Sequence, residues 1–384
     1  MSLTTFSFPT TTLVGAGALA ELPARLRRLN VLRPLVVTDP GLLPTEAFRQ
    51  LQAALGLAGQ GVRWFLYSGV HPNPVEGDVI AGAEAYRAQR CDGVIAFGGG
   101  SALDAGKAVR LLVKRPDLTL AAFDYSLDWS GLAPFVAIPT TAGTGSEVGR
   151  SSVITLTATG RKKVVFHPEL LAEVVILDPE LTRGLPPHLT AATGADALTH
   201  CIESFTCPVY HPLCDGVALE GIRLTVEALP RAYRDGQDLA ARRDMLVAAA
   251  MGAVAFQKDL GATHSLAHPL STICGMHHGL ANALCLVEVM KFNAERQPGL
   301  YRRVGVACGL EVLGATPAEA DRATIEFVAR FLAGLGLNTR LRDHGVKESQ
   351  IDALTAQAVE DPCHQTNPVP VTAADFKRLY QSVW

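Results

Sequence analysis

The chain lacks the features that mark several protein classes. Its 384 residues contain no run of Lys or Arg and carry a formal net charge of −3. Neither nucleic acid nor an anionic membrane surface therefore finds an electrostatic footing. No stretch approaches the roughly 18 consecutive apolar residues of a spanning helix. The N-terminal residues show no basic segment ahead of an apolar one, so no secretory signal is expected. The eight cysteines, at 91, 201, 207, 214, 274, 285, 308 and 363, form no Cys-x-x-Cys pair. In a chain of this size they read as reduced thiols, and a cytoplasmic location is expected. Charged residues make up only 18% against 48% hydrophobic, which excludes disorder and suits a well-buried soluble enzyme. Neither an internal repeat nor a low-complexity tract is present.

Histidine is also scarce, 11 in all, yet His264, His268, His277 and His278 fall within fifteen positions of 261–282, GATHSLAHPLSTICGMHHGLAN. His264 and His268 are spaced i, i+4 and share one face of a helix. Asp196 and His200, in GADALTHCIES, have the same spacing. An Asp-x-x-x-His face, a His-x-x-x-His face and one more imidazole supply N and O donors enough to surround one divalent cation. The competing reading is of polar residues on helix surfaces or hydrogen-bonded core histidines. Two spaced pairs beside a His-Gly corner favour the metal site.

At this length two domains are expected. The first half alternates strand-like runs at 10–14, 35–38, 62–67, 93–97 and 135–138 with helical segments at 18–29, 46–57, 75–88 and 102–112. That alternation predicts an α/β domain, a parallel sheet covered on both faces. From residue 190 the periodicity is helical almost throughout, and Pro186-Pro187 punctuates the chain. The boundary is therefore placed near 185, giving a dinucleotide-binding domain over 1–185 and an all-α domain over 186–384.

Two glycine clusters compete as a phosphate cradle. Gly15-Ala-Gly17-Ala-Leu-Ala20 imitates a dinucleotide fingerprint but reads better as a turn into the first helix. Gly98-Gly99-Gly100-Ser101 follows the apolar run GVIAF and opens a helix, where free N–H groups and the positive dipole end suit a pyrophosphate. Asp39, at the end of a buried strand, can accept the ribose hydroxyls and repel a 2′-phosphate, which favours NAD; the alternative is a turn residue before Pro40-Gly41. The turn 138–147 adds Thr140, Thr141, Thr144 and Ser146, short hydroxyls suited to phosphate and carboxamide.

GGGSALDAGKA (98–108), PTTAGTGSE (139–147), LDPELT (177–182), GADALTHCIES (194–204), GATHSLAHPL…HHGLAN (261–282) and DPCHQTNP (361–368) resemble, colinearly, the signatures of the iron-containing, group III alcohol dehydrogenases. More distantly the chain is similar to glycerol dehydrogenases and dehydroquinate synthases. The resemblance implies a dehydroquinate synthase-like architecture with the active site in a cleft between the domains. It implies metal ligands at Asp196, His200, His264 and His278, with His268 beside the nicotinamide. The family usually has Pro-His-Gly at the last ligand; here Met276-His277-His278-Gly279 leaves His277 as a spare imidazole. Nucleotide contacts are implied at Asp39, Asn73, Gly99, Gly100, Ser101, Thr140, Thr141, Thr144 and Lys162 or Lys163, with Lys163 preferred. A substrate pocket is implied at Ser151, Phe256, Leu260 and Cys363.

The expected activity is hydride transfer between NAD and a small alcohol or aldehyde, assisted by Fe(II) or Zn(II), which three His and one Asp suit equally. His268 is expected to relay the proton. Arg150 and Lys258 raise the option of an anionic substrate. Other readings are a dehydroquinate-synthase-like lyase, which would want a denser cationic pocket, a glycerol-dehydrogenase-like enzyme using NAD and zinc, and a metal-binding protein without catalysis or a metallohydrolase. The strand-forming N-terminus, 4–14, offers an edge for a second subunit, so a homodimer is expected.

Overall fold

The computed structural model describes residues 8, 10–56 and 62–384. They divide into two compact units, Phe8–Leu185 and Pro186–Trp384. Residues 4–7 and 9 of the expected N-terminal strand lie outside the described residues.

In the first unit the strands are β1 (Thr11–Val14), β2 (Pro34–Val37), β3 (Phe65–Tyr67), β4 (Gly93–Gly98), β5 (Phe135–Pro139), β6 (Ser151–Leu156), β7 (Arg161–Phe166) and β8 (Val174–Leu177). The helices are α1 (Leu22–Arg28), α2 (Glu46–Gly56), α3 (Glu76–Ala88) and α4 (Gly100–Lys114). Six strands form one sheet in the order β1-β8-β5-β4-β2-β3, every pair parallel. The runs PLVV, GVIAFG, FVAIP and VVIL are buried along their whole length, because a parallel sheet has both faces covered. On one face Leu22 and Leu26 of α1 and Leu51 of α2 pack with Val36, Ile95, Phe97, Ile138 and Ile176.

Two expectations need correction. The segment 18–29 is not one helix: a 3-10 turn, Ala18–Glu21, precedes α1, with Pro23 in its first turn, where a missing N–H costs nothing. Three strands also escaped notice. The four residues of β8 are too short a run to show a period, whereas the antiparallel hairpin β6–β7 buries Ser152, Ile154 and Val165 completely on one face.

The second unit is helical: α5 (Pro187–Thr206), α6 (Pro212–Arg234), α7 (Leu239–Ala255), α8 (Ala262–Cys274), α9 (His278–Arg296), α10 (Arg302–Ala307), α11 (Pro317–Gly334), α12 (Ile351–Glu360) and α13 (Ala373–Val383). Helix α5 is buried along nearly its whole length, against α6, α7 and α9. Helices α8, α9, α12 and α13 share a second core around Leu266, Leu270, Leu354, Phe376 and Tyr380.

Candidate active site

Asp196 and His200 lie one turn apart on α5, both buried. Helix α8 brings His264, buried, and His268, half-buried, while His278 is the first residue of α9. The position of α8 is set by Glu203 of α5. Its carboxylate accepts the N–H groups of Gly261 at 3.1 Å and Thr263 at 2.6 Å, placing negative charge at the positive end of the α8 dipole. The same carboxylate lies 2.6 Å from Nδ1 of His264. Burial alone would raise the Glu203 carboxyl, but the hydrogen bonds and charge of His264 and Thr263 outweigh it and hold it below its ordinary value. Gly279 lets α9 approach α5, since a Cβ there would stand 2.1 Å from the carbonyl oxygen of Ala192.

One donor atom from each of Asp196, His200 and His264 lies within 4.8 Å of the other two, and His278 faces the same carboxylate. Oδ1 of Asp196 lies 3.8 Å from Nε2 of His200, 3.9 Å from Nε2 of His264 and 3.6 Å from Nε2 of His278. A tetrahedral cation with bonds of about 2.1 Å separates its ligand atoms by about 3.4 Å, so these three distances from the Asp196 carboxylate are close to the right size. Because Nδ1 of His264 faces Glu203, its Nε2 carries the lone pair. Asn282 also reaches this point: its Nδ2 donates to Asp196 at 2.7 Å and stands 3.2 and 3.3 Å from Nε2 of His264 and His278. Three imidazole nitrogens and one carboxylate suit Fe(II) and Zn(II). His277 is the exposed residue capping α9 and is not among the converging groups. Sequence reasoning missed Glu203 and Asn282. Their signal was helical spacing: Glu203 lies seven residues from Asp196, and Asn282 four from His278, on the same helix faces.

His268 is anchored from the C-terminal segment. Its Nδ1 lies 2.7 Å from Oδ2 of Asp361, whose Oδ1 accepts Ser265 Oγ at 2.9 Å and the N–H of Cys363 at 3.0 Å. Burial favours the neutral Asp361 carboxyl, but the adjacent His268 and these hydrogen bonds hold it well below the carboxylate range. The His268 ring stacks on that of His278, centroids 5.3 Å apart. Asp361 too went unnoticed.

In the α/β unit the two glycine clusters part company. The N–H groups of Gly17 and Leu19 are taken up by the Asp178 carboxylate of LDPELT, at 3.2 and 3.0 Å, so an anion already occupies that turn. Gly99 caps α4 without a side-chain hydrogen bond. Gly100 packs so tightly that a Cβ would meet Thr144 Cγ2 at 2.6 Å. Thr141 lies beside Gly99, Thr140 N–H donates to Gly98 at 3.0 Å, and Ser101 lies in the first turn of α4. Asp39 follows β2 and caps the next turn by accepting the Gly41 N–H at 2.9 Å. Asn73 has φ 52°. Lys163 is half-buried on β7 opposite Ile154.

The Thr-Gly turn is held by a buried network absent from the sequence reading. Lys107 of α4, fully buried, donates to the Ser146 carbonyl at 2.5 Å, Ser146 Oγ at 2.9 Å and the Ser151 carbonyl at 2.7 Å. Ser146 Oγ in turn donates to Asp104 at 2.6 Å. Burial lowers Lys107 to about 8 and raises the nearby Glu147 carboxyl to about 7.

Of the expected pocket residues in the helical unit, Phe256 packs edge-on against His200 with centroids 5.3 Å apart, and Leu260 and Cys363 are half-buried. Ser151 opens β6 in the other unit. Lys258 is not available to a substrate anion: it is buried, 2.5 Å from Asp215 and donating to the Phe205 carbonyl at 3.2 Å. The Arg150 guanidinium lies 5.3 Å from the Phe166 ring centroid.

Comparisons with known proteins agree on one family. Residues 9–179 match the model for iron-containing alcohol dehydrogenase, and residues 190–384 that for the Fe-containing alcohol dehydrogenase family, C-terminal. A 4-hydroxybutyrate dehydrogenase of Cupriavidus necator is 39% identical, the match covering 95% of this chain and 96% of that protein. A solved 1,3-propanediol oxidoreductase superposes with TM-score 0.95 at 32% identity over the whole of both chains. The sulfoacetaldehyde reductase of Bifidobacterium kashiwanohense, solved in complex with NAD+, gives TM-score 0.87 at 29% identity, covering 100% of this chain and 99% of that one.

Proposed function

The chain belongs to the iron-containing alcohol dehydrogenase family, and from that premise we propose that it interconverts a small alcohol and its aldehyde using NAD and Fe(II), with Zn(II) as the other ion its ligands suit. Support comes above all from the convergence of Asp196, His200, His264 and His278 on one point, with Glu203 orienting His264. When bound, the ion supplies Lewis acidity toward an alcohol or carbonyl oxygen, and the nicotinamide supplies or takes the hydride.

The chain's own residues do the rest. Glu203 fixes the tautomer of His264 and the start of α8. Asp361 holds the His268 ring by Nδ1, and Nε2 takes the alcohol proton or returns it. Phe256, Leu260 and Cys363 offer a mostly apolar wall, and the pairing of Lys258 with Asp215 favours uncharged substrates over anionic ones. In the α/β unit, Gly99, Gly100 and Ser101 at the α4 N-terminus form the pyrophosphate cradle, and Asp39 selects NAD. Asn73, Thr140, Thr141, Thr144 and Lys163 complete the nucleotide site of this unit, whose β6 opens with the remaining pocket candidate, Ser151. The unit Phe8–Leu185 is thus the nucleotide domain and Pro186–Trp384 the metal and substrate domain.

A homodimer fits β1, which pairs with β8 and, among the described residues, with no other strand. Eight free cysteines fit a reducing, cytoplasmic setting. The deciding measurement is NADH oxidation against a panel of aldehydes with Fe(II) or Zn(II) restored anaerobically. Turnover that needs metal, prefers NADH to NADPH and favours neutral over carboxylate-bearing aldehydes supports the proposal. Activity indifferent to metal overturns it.

A further inference from the structure

Besides the converging Asp196, His200 and His264, the described residues hold a second group with metal-ligand chemistry. One ligand atom from each of His268, Asp361 and Cys363 lies within 4.8 Å of the other two. We propose that these three residues form a second cation site, selective for a thiophilic ion such as Zn(II), whose occupation switches the enzyme off.

The donor set is the first argument. The ligands at the α5–α8–α9 junction are nitrogen and oxygen only, whereas this group adds a sulfur, and thiolate selects Zn(II) over hard cations. A zinc ion with bonds of about 2.0–2.3 Å separates its ligands by somewhat under 4 Å, a spacing reached by small side-chain adjustments from the one observed.

The scaffold is the second. Asp361 does not dangle: Oδ1 is held by Ser265 Oγ and the Cys363 N–H, and Oδ2 is aimed at His268 Nδ1, 2.7 Å away. An ion bound here replaces the proton shared by His268 and Asp361 and displaces the Cys363 thiol proton. Asp361 caps the 3-10 turn Pro362–Thr366, on which Cys363 lies, so the two side chains are presented together. His268 arrives from α8.

The local charge is the third. Asp259, next to Leu260, has φ 88° and ψ −173°, a region in which side-chain-bearing residues are strained. Burial raises the Cys363 thiol well above its ordinary value, and the charges of Asp361 and Asp259 raise it further. The field that resists a bare thiolate is the field that attracts a divalent cation, and the cation then makes the thiolate. An ion here also ties up His268. The inhibition, though not the binding, rests on the proton-relay role given to that residue above.

Cobalt(II) tests the two parts separately. The full-length chain, loaded anaerobically with one equivalent of Fe(II), is titrated with Co(II) and followed in the near ultraviolet, where a thiolate-to-cobalt charge-transfer band appears. Because the first site has no sulfur ligand, cobalt entering it is silent at that wavelength. The expected result is a band that saturates at one added equivalent and vanishes in Cys363→Ser. In His268→Ala, which keeps the thiol, the affinity should fall by at least the roughly 10-fold seen when outer-shell groups are lost. Iron content retained in both variants shows that they are folded. In parallel, Zn(II) should inhibit the iron-loaded enzyme, and Cys363→Ser, measured against its own uninhibited rate, should need about 10-fold more zinc or higher. No charge-transfer band, or one that survives in Cys363→Ser, overturns the site. A band without inhibition upholds the site and removes the relay role of His268.

Discussion

Glu203 Oε2 and His264 Nδ1 lie 2.6 Å apart, both residues buried, and the same carboxylate receives the first N–H groups of α8. One side chain therefore both positions the helix and selects the tautomer of the imidazole it carries.

Replacing Glu203 with Gln keeps the shape and removes the charge. Metal affinity should fall by about 10–100-fold, measured as iron or zinc retained after dialysis. The sign with pH follows from the depressed carboxyl. The ionised cap stabilises the folded chain above the unfolded-state pKa near ~4.3, and that contribution is lost as pH falls through the lower folded value. The difference in denaturation midpoint between the parent chain and Glu203→Gln should shrink on acidification from neutral pH. A constant difference would mean that Glu203 does not act as a charged cap.

His264→Ala removes one of four proposed ligands and should abolish metal-dependent turnover, while NAD still binds. His277→Ala is its control: an exposed imidazole outside the cluster, it should leave metal content unchanged. Full metal content in the first variant would sink the ligand assignment.

Asp39→Gly should relax the discrimination against NADP by removing the carboxylate that repels a 2′-phosphate. Ratios of kcat/KM for NADH and NADPH report it. An unchanged ratio would reduce Asp39 to its cap on Gly41.

Gly100→Ala places a methyl group 2.6 Å from Thr144 Cγ2, which must push the Thr-Gly turn away from the α4 N-terminus. NAD binding, followed by calorimetry, should weaken markedly with little change in metal content. Adding Thr144→Ser removes the nearest atom and should restore part of the affinity. No weakening in the single variant would mean that the pyrophosphate does not sit here.

Glu147, raised to about 7 by burial, binds a proton in the folded state that the unfolded chain has released above ~4.3. Its contribution makes stability fall as pH rises between those two values. In Glu147→Gln that fall should disappear from a series of urea denaturations between pH 5 and pH 7 (~2 units just below the shifted pKa). An identical slope would place the titration elsewhere.

Sequence alone was enough for whatever depends on local period and spacing. Alternating apolar runs specify the parallel strands β2, β4 and β5, because strands buried on both faces must be continuously apolar. The i, i+4 pairs Asp196/His200 and His264/His268 follow from helical geometry once the helices are granted. That spacing could not say which ring nitrogen points where, nor that Glu203 and Asn282 reach His264 from 61 and 18 positions away and Asp361 reaches His268 from 93. Those are tertiary facts, set by α5, α8, α9 and the 361–366 turn packing on one another. The same holds for the Gly15–Gly17 turn. Its sequence imitated a phosphate cradle but read better as a turn, and the fold supplies the reason: Asp178, just after β8, accepts the Gly17 and Leu19 N–H groups. Lys258 raised the option of an anionic substrate from its place in the sequence, and the fold makes it half of a buried pair with Asp215, since a charge removed from water must find its counter-charge within the protein.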